Sequence, residues 1–503
     1  MSFVSRTSAV VRRTATRLPR PLSSPHLWLV AAVGALYAVY ALSRYRQFLT
    51  AGYDLGIFDQ AVRAYSRFEA PTSALKGIDA NLLGDHFHPI LVVLAPLYWL
   101  WDDPRTLLLA QAVLVAAAVV PVWRFSRRRF GRLAAIAASS ALAFGWPIQK
   151  LVDFDFHEVA FAVPLLAWAI DALDRRRDRE LLVALALLLL VREDMGALVA
   201  CVGVLYAVRR RRPARGALIA AGGLVAFVLI VKVVIPAIAG RDYGYWDYSV
   251  FGTDMASSIA TVVADPGLTL TTFFTPLVKT QTLLALLAPL LLLPLLSPIS
   301  LLALPILLER FLADRPALWS ADFHYNAPVW VILCFAAVDG LARLRRLLAR
   351  RPAAGRRVPA LALVLLAAVP LLGSTALAPL TAGMFPLSRM VTGDAFRWDA
   401  HMRDQAAILR LVPPSTCVIS DDRMASHLTR TNRVTIPSID GPVPDYYLLD
   451  LSQPVPSSTD EGWTSRDVLG LAQEAGYRLT ERRGSMVLLA AGDGAEPSPG
   501  CAR

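Results

Sequence analysis

Long apolar runs separated by short polar segments dominate the chain. Runs at 27–43, 105–123, 132–149, 159–173, 180–191, 195–208, 216–239, 279–296, 298–312, 327–341 and 358–376 predict about eleven transmembrane helices. Several are shorter than the roughly 20 residues that a straight helix needs to cross a bilayer. The run at 181–191 meets Arg192, Glu193 and Asp194 at once, and the next reaches only Val208. Short helices of this kind imply a locally thinned bilayer or a cavity that admits water, and charged groups at that depth must face protein or water. The segment 87–101 is also apolar, but it carries Pro89 and Pro96 and ends in Tyr98, Trp99 and Trp101. It predicts an interfacial or re-entrant helix instead of a span.

Beyond residue 377 the pattern turns soluble. Short β-type runs at 417–420, 433–436, 446–449 and 486–489 alternate with helical ones at 400–411 and 465–474. The predicted fold class is an all-α polytopic membrane bundle with a small α/β extracytoplasmic C-terminal domain. Its parts are a basic cytoplasmic tail (1–26), a transmembrane domain (27–376) whose outer loop 44–104 carries surface helices, the α/β domain (377–491) and a tail of disordered composition (492–503). No repeat, direct or inverted, is found.

Charge fixes the sidedness. The 503 residues are 55% hydrophobic and carry a formal charge of +12, which in a soluble protein would suggest nucleic acid. Here the arginines form five blocks between apolar runs: Arg12 to Arg20, Arg124 to Arg132, Arg175 to Arg179, Arg209 to Arg215 and Arg343 to Arg357. They read as topology signals on the cytoplasmic side of a cell membrane, with no nucleic-acid partner. No small-residue cleavage site follows Ser43, so the first run reads as an uncleaved span with the N-terminus inside. Of the four cysteines, only Cys417 and Cys501 would share an oxidising compartment; Cys201 and Cys334 lie in apolar helices.

The acids and histidines gather opposite the arginines. In the first outer loop, Leu55, Phe58, Val62 and Tyr65 recur at 3-4-3 spacing and predict an amphipathic helix along the membrane surface. Asp54 at its start is either a helix N-cap or a general base. Asp59, Arg63 and Arg67 have the spacing of a surface ion-pair ladder. His86 and His88, beside Asp85, offer ligand types, but H-x-H alone is a weak metal signal and suits an interfacial turn equally. Asp153, Asp155, His157 and Glu158 form a second titratable cluster at a membrane boundary, a functional-site candidate against the bland reading of boundary polarity. Arg192, Glu193 and Asp194 are either a self-neutralised group or, through the Arg192 fork, a phosphate contact. His324 and Tyr325, ahead of Asn326, are a substrate contact or an interfacial anchor.

Together, the 53–60 stretch, Gly84 to Pro89 with Ala95-Pro96-Leu97-Tyr98, Phe156-His157-Glu158, Arg192-Glu193-Asp194 and His324-Tyr325 resemble a family of predicted prokaryotic membrane proteins with a domain of unknown function. The likeness runs from about residue 30 to 450. More distantly, the layout resembles the GT-C class of membrane glycosyltransferases, which take sugars from polyprenyl-phosphate donors on the outer leaflet. That resemblance implies transfer from a polyprenyl-phosphate sugar to an unidentified hydroxyl acceptor at the outer face. Asp54 then matches the catalytic acid, and Arg192, His324, Tyr325, His157, Glu158, His86 and His88 become candidate substrate contacts. Many class members place two acids side by side at this point, whereas here Leu55 follows Asp54, so a divalent metal remains a candidate cofactor without its second acidic ligand. Two other functions compete. A transporter would require matched broken helices and midplane charges. A non-catalytic scaffold would bind an envelope partner through its outer domain.

Overall fold

The computed structural model describes residues 25–77, 79–350, 352–375, 383–437, 443–452 and 464–492; the predicted tails at 1–24 and 493–503 lie outside the described residues. Five helices are long and apolar enough to cross a membrane: Pro25–Arg46, Arg105–Phe130, Pro213–Ala239, His324–Leu347 and Arg357–Ser374. A sixth results if Pro266–Phe274 and Leu277–Leu290, bent by 72° against each other, count as one span. Among the described residues the remaining predicted spans form shorter helices, so five of the predicted eleven, or six with the bent pair, have that length. The run at 132–149 breaks at Gly145 into Arg132–Phe144 and Trp146–Asp153. The runs at 279–312 are cut by Pro289, Pro294, Pro298 and Pro305 into helical turns, because each proline removes a backbone donor and clashes with the preceding turn.

Close packing makes up for short length. Gly145 is where the backbone passes Trp330: a Cβ there would lie 2.2 Å from the indole Nε1, which itself donates to Ala141 O at 3.1 Å. Met195–Arg210 and Pro213–Leu229 meet backbone to backbone at Gly196 against Gly223 and Gly203 against Gly216, the small-residue contact that apolar helices use in lipid.

The arginine blocks converge at one end of the bundle. Asp171 takes Arg128 and Arg175 at 2.7 and 2.9 Å, Asp174 takes Arg128 and Arg129, and Asp339 takes Arg343 at 2.9 Å with Arg129 and Arg209 beyond. Four of the five blocks are thus tied into one network. The first block lies outside the described residues.

The C-terminal sheet has the order β2-β1-β3-β5-β4, with β1 Cys417–Ser420, β2 Arg433–Thr435, β3 Tyr446–Asp450, β4 Arg478–Arg483 and β5 Met486–Ala490. β1 pairs parallel with β2 and β3, and β5 pairs antiparallel with β3 and β4. β4 was not predicted: as an edge strand it is exposed on both faces, so its residues show no alternation. Cys417 is disulfide-bonded, while Cys201 and Cys334 are free; Cys501 lies outside the described residues.

The first outer loop departs most from expectation. The helix Ile57–Ser66 does not lie on a membrane surface with one wet face. Leu55, Phe58 and Val62 pack into the helical bundle, while Ile57 and Ala61 on the other side join Val418, Met424 and Leu448 in the core of the C-terminal domain. Asp59 and Arg63, expected as a surface ladder, are therefore buried between the two. Asp59 is fully inaccessible and accepts from Arg63 at 2.6 and 3.0 Å and from the Tyr98 hydroxyl at 2.7 Å. Residues 87–101 form a 3₁₀ segment Pro89–Leu94 and a short helix Ala95–Leu100. The aromatic loop after Gly240 also gains helices, at Met255–Ala264 and Pro266–Phe274.

Candidate active site

Asp54 lies in a π-helical turn, Gly52–Gly56, where the chain leaves the first long helix. The turn is pinned on two sides: the Ala51 N–H donates to Asp155 Oδ2 and the Tyr53 N–H to Asp422 Oδ1, each at 2.7 Å. Asp54 caps neither this turn nor the helix after it. Its Oδ1 lies 3.2 Å from His157 Nε2, and its side chain keeps 24% of its exposure.

His157 arrives on the loop that follows Trp146–Asp153. Gln111, fully buried on Arg105–Ala117, clamps that loop: its Nε2 donates to the carbonyls of Asp155 and Leu151 at 2.5 and 3.2 Å, and its Oε1 accepts from the His157 N–H at 3.2 Å. The clamp holds Asp155 at φ +61°, a left-handed conformation that a residue with a Cβ seldom adopts. Burial pushes the Asp155 carboxyl up to about 7 against the pull of Arg44, 3.4 Å away. Burial opposes charge on His157 too, but the Asp54 carboxylate outweighs it and leaves the imidazole above its ordinary pKa.

His324 stacks on His157 with ring centres 3.9 Å apart, and Tyr325 packs on His324 at 4.1 Å. Phe154 and Phe58 wall the pair. Nδ1 of His88, His157 and His324 are all buried without a hydrogen-bond partner among the described residues. Unsatisfied groups of this kind are rare in native structures and call for an explanation.

The sequence clusters are redistributed. Asp153 and Asp155 both serve Arg44, with Tyr40 also donating to Asp153. Glu158 approaches Arg192 at 3.8 Å. His86 and His88 part company: His88 turns inward against Phe58, whereas His86 reaches Glu193 Oε1 at 2.6 Å and stacks on Tyr245 at 4.2 Å. Glu193 also accepts from the Phe87 N–H and the Tyr243 hydroxyl, at 3.0 and 2.8 Å. The Arg192 fork is taken up by both oxygens of Asp194, which is the self-neutralised arrangement. Among the described residues, no three His, Cys, Asp or Glu side chains are grouped to hold a metal ion.

Sequence reasoning missed Lys150. Its side chain is only 10% exposed, and its nearest carboxylate, Asp322, stands 3.8 Å away and is itself 72% exposed. Four residues on, Phe154 packs against Phe323 and His324, the neighbours of Asp322 in the chain. A lone lysine ending an apolar run next to an acidic cluster was the available signal.

Residues 44–482 match the family described as predicted membrane protein (DUF2079). The chain belongs to that family. Within solved structures, this DUF2079 protein is similar to ArnT from Cupriavidus metallidurans bound to undecaprenyl phosphate, at 14% identity and a TM-score of 0.53, covering 94% of this chain and 99% of that one. The apo state of the same ArnT gives 15% identity and 0.52, covering 93% and 100%. Archaeal oligosaccharyltransferase AglB from Archaeoglobus fulgidus, in complex with an inhibitory peptide and a dolichol-phosphate, gives 13% and 0.40, covering 95% of this chain and 76% of that one, too loose a likeness to carry an argument. No curated protein matches. The expected family is therefore shown, and the fold is similar to that of ArnT.

Proposed function

We propose that this DUF2079 protein transfers a sugar from a polyprenyl-phosphate carrier to a hydroxyl acceptor, at the membrane face opposite its arginine network. The observation that carries this reading is the Asp54–His157 contact of 3.2 Å, with Asp54 part-exposed, in a fold similar to a protein solved with undecaprenyl phosphate. On this reading the arginine blocks are the cytoplasmic side, and Asp54 and the C-terminal sheet lie outside.

In the reaction, Asp54 accepts the proton of the acceptor hydroxyl as general base. The acceptor oxygen then forms a bond to the anomeric carbon while the bond from that carbon to the phosphate oxygen breaks. Polyprenyl phosphate leaves with the electron pair. His157 is the positioning group for Asp54: its Nε2, 3.2 Å from Oδ1, aims the carboxylate. Because Arg192 is already matched by Asp194, the leaving phosphate falls to Lys150, a point charge without a close partner, and to the unpartnered Nδ1 atoms of His157 and His324.

The test is transfer from labelled polyprenyl-phosphate sugars into a membrane extract by the purified full-length protein. Asp54→Asn should lower the rate by roughly 10²–10⁴-fold, the range for losing a general base. Lys150→Gln should raise KM for the donor. Undiminished transfer in Asp54→Asn removes Asp54 from the mechanism.

A further inference from the structure

A cavity of about 210 Å³ lies beside Arg192 and Tyr325, and nothing in the mechanism above uses it. Its walls come from three segments far apart in sequence: the Arg192 to Asp194 junction, the aromatic loop Tyr243 to Tyr248, and the helix Leu304–Leu312 with the loop after it.

The aromatic wall is rigid. The Tyr243 hydroxyl is fixed to Glu193, that of Tyr245 to Asp85 at 2.5 Å, that of Tyr248 to the Glu309 carbonyl at 3.0 Å, and the Trp246 indole N–H to Ser258 at 3.2 Å. With the polar atoms occupied by protein, what remains to meet a ligand is ring surface. Opposite the rings stands the Glu309 carboxyl. The Asp194 carboxyl, which also lines the cavity, already holds Arg192 on both oxygens. No backbone or side-chain N–H of the described residues donates to Glu309, although it lines the cavity.

Size and lining together narrow the ligand. Pockets for drug-sized molecules run to roughly 300–1,000 Å³, so this cavity takes one small ring and excludes a polyprenyl tail. Fixed aromatic faces suit the C–H face of a ring, and a carboxyl pair supplies acceptors for ring hydroxyls. A bare phosphate would meet four lining acids, Glu193, Asp194, Asp247 and Glu309, and the three lining arginines are already engaged: Arg192 by Asp194, Arg310 by the Leu318 and Tyr325 carbonyls and Asn326, and Arg315 by Asp247. Resting on the glycosyl-transfer reading, the geometry points to this cavity as the seat of a single sugar ring, with Trp246 and Tyr248 as the stacking surface and Glu309 as the hydroxyl-reading group. Tyr325 lines the cavity on one side and packs on His324 on the other, so a ring seated here lies next to the proposed phosphate site.

The experiment measures binding to full-length protein in detergent with three probes: polyprenyl phosphate, the same lipid carrying a hexose, and a panel of methyl glycosides of common hexoses and pentoses. Trp246→Ala and the isosteric Glu309→Gln are compared with wild type, with retention of polyprenyl-phosphate affinity as the check that each is folded. We expect wild type to bind the sugar-bearing lipid more tightly than the bare lipid, and both variants to lose at least tenfold on the former with no change on the latter. Equal loss on both lipids by a variant that still melts as wild type does, or no loss on either lipid, overturns the sugar seat. If neither lipid binds but a methyl glycoside does, in wild type and not in the variants, the seat stands and the transferase reading fails. If no probe binds, both fail. The source of the ring follows from the same data: sugar on lipid alone marks the donor, and free glycoside competing with it marks an acceptor ring.

Discussion

Replacing Asp59 by alanine separates two descriptions of the first outer loop. Were Asp59 and Arg63 a surface ladder, the substitution would cost about 0.3–0.5 kcal/mol, as exposed i,i+4 pairs do. In the structure Asp59 is inaccessible and the Arg63 side chain 7% exposed, so removing the carboxylate strands a buried guanidinium and leaves the Tyr98 hydroxyl without its acceptor. Breaking a buried pair from one side costs about 3–5 kcal/mol. Arg63 keeps Asp102 at 2.7 Å and the Thr429 carbonyl at 2.8 Å, which holds the expectation near the lower figure. Because Thr429 belongs to the C-terminal domain, the loss should appear on both sides of the helix Ile57–Ser66. Hydrogen exchange of the full-length protein in detergent reads it locally: amides of that helix and of Asp422–Leu428 should lose about 100-fold or more in protection, since each 1.4 kcal/mol is tenfold. Asp59→Ala combined with Arg63→Ala should be no worse than Asp59→Ala alone, because the second change removes the stranded charge. A loss under about threefold in Asp59→Ala would mean that the pair is screened by water as at an ordinary surface, and the buried arrangement is wrong.

Gly145→Ala should destabilise by about 1–3 kcal/mol, because a methyl 2.2 Å from a fully buried indole forces Trp330 to shift; the thermal midpoint in detergent reports it, and Gly131→Ala, where a Cβ meets nothing but φ is +81°, serves as the contrast in a loop. At His86, burial disfavours the charge but Glu193 outweighs it and raises the pKa. The folded value therefore exceeds the unfolded one, the stabilisation is complete below about 6.5 and fades as pH rises through the folded value, and Glu193→Gln should flatten that part of the melting profile. Burial, with the charge of Asp450 nearby, pushes Asp421 up to about 7. Its folded pKa also exceeds its unfolded one, so its contribution is complete below about 4 and is lost as pH rises through 7; Asp421→Asn should remove that share of the pH dependence from the melting of the C-terminal domain.

How much was legible depends on the range of each signal. Apolar runs located the long helices at 27–43, 105–123, 216–239, 327–341 and 358–376, because hydropathy is a property of one segment. The strands at 417–420, 433–436, 446–449 and 486–489 were equally local, whereas β4, charged and exposed on both faces, gave no pattern. The runs at 132–149 and 279–312 do not each form one continuous helix, because Gly145 and the prolines interrupt them. The 3-4-3 stripe in the first outer loop located a helix correctly but said nothing of the second face, which a domain 360 residues later covers. Likewise, two histidines two residues apart looked like one group until their side chains took opposite sides of a turn.

What the chain determined by itself is its membrane class and the separation of its charges: apolar length and arginine blocks act through lipid and water, which meet every segment alike. Which side chains become chemistry was decided only by the tertiary structure. It set Asp54 against His157, put His324 over that imidazole, left Lys150 without a close counter-charge, matched Arg192 to Asp194, and enclosed a cavity between three distant segments. A carboxylate, an imidazole or an ammonium acquires its role from the partner within hydrogen-bond reach and the water it has lost. Apart from the Arg192–Asp194 pair, both depend on packing between segments far apart in the chain, which no pattern along the chain records.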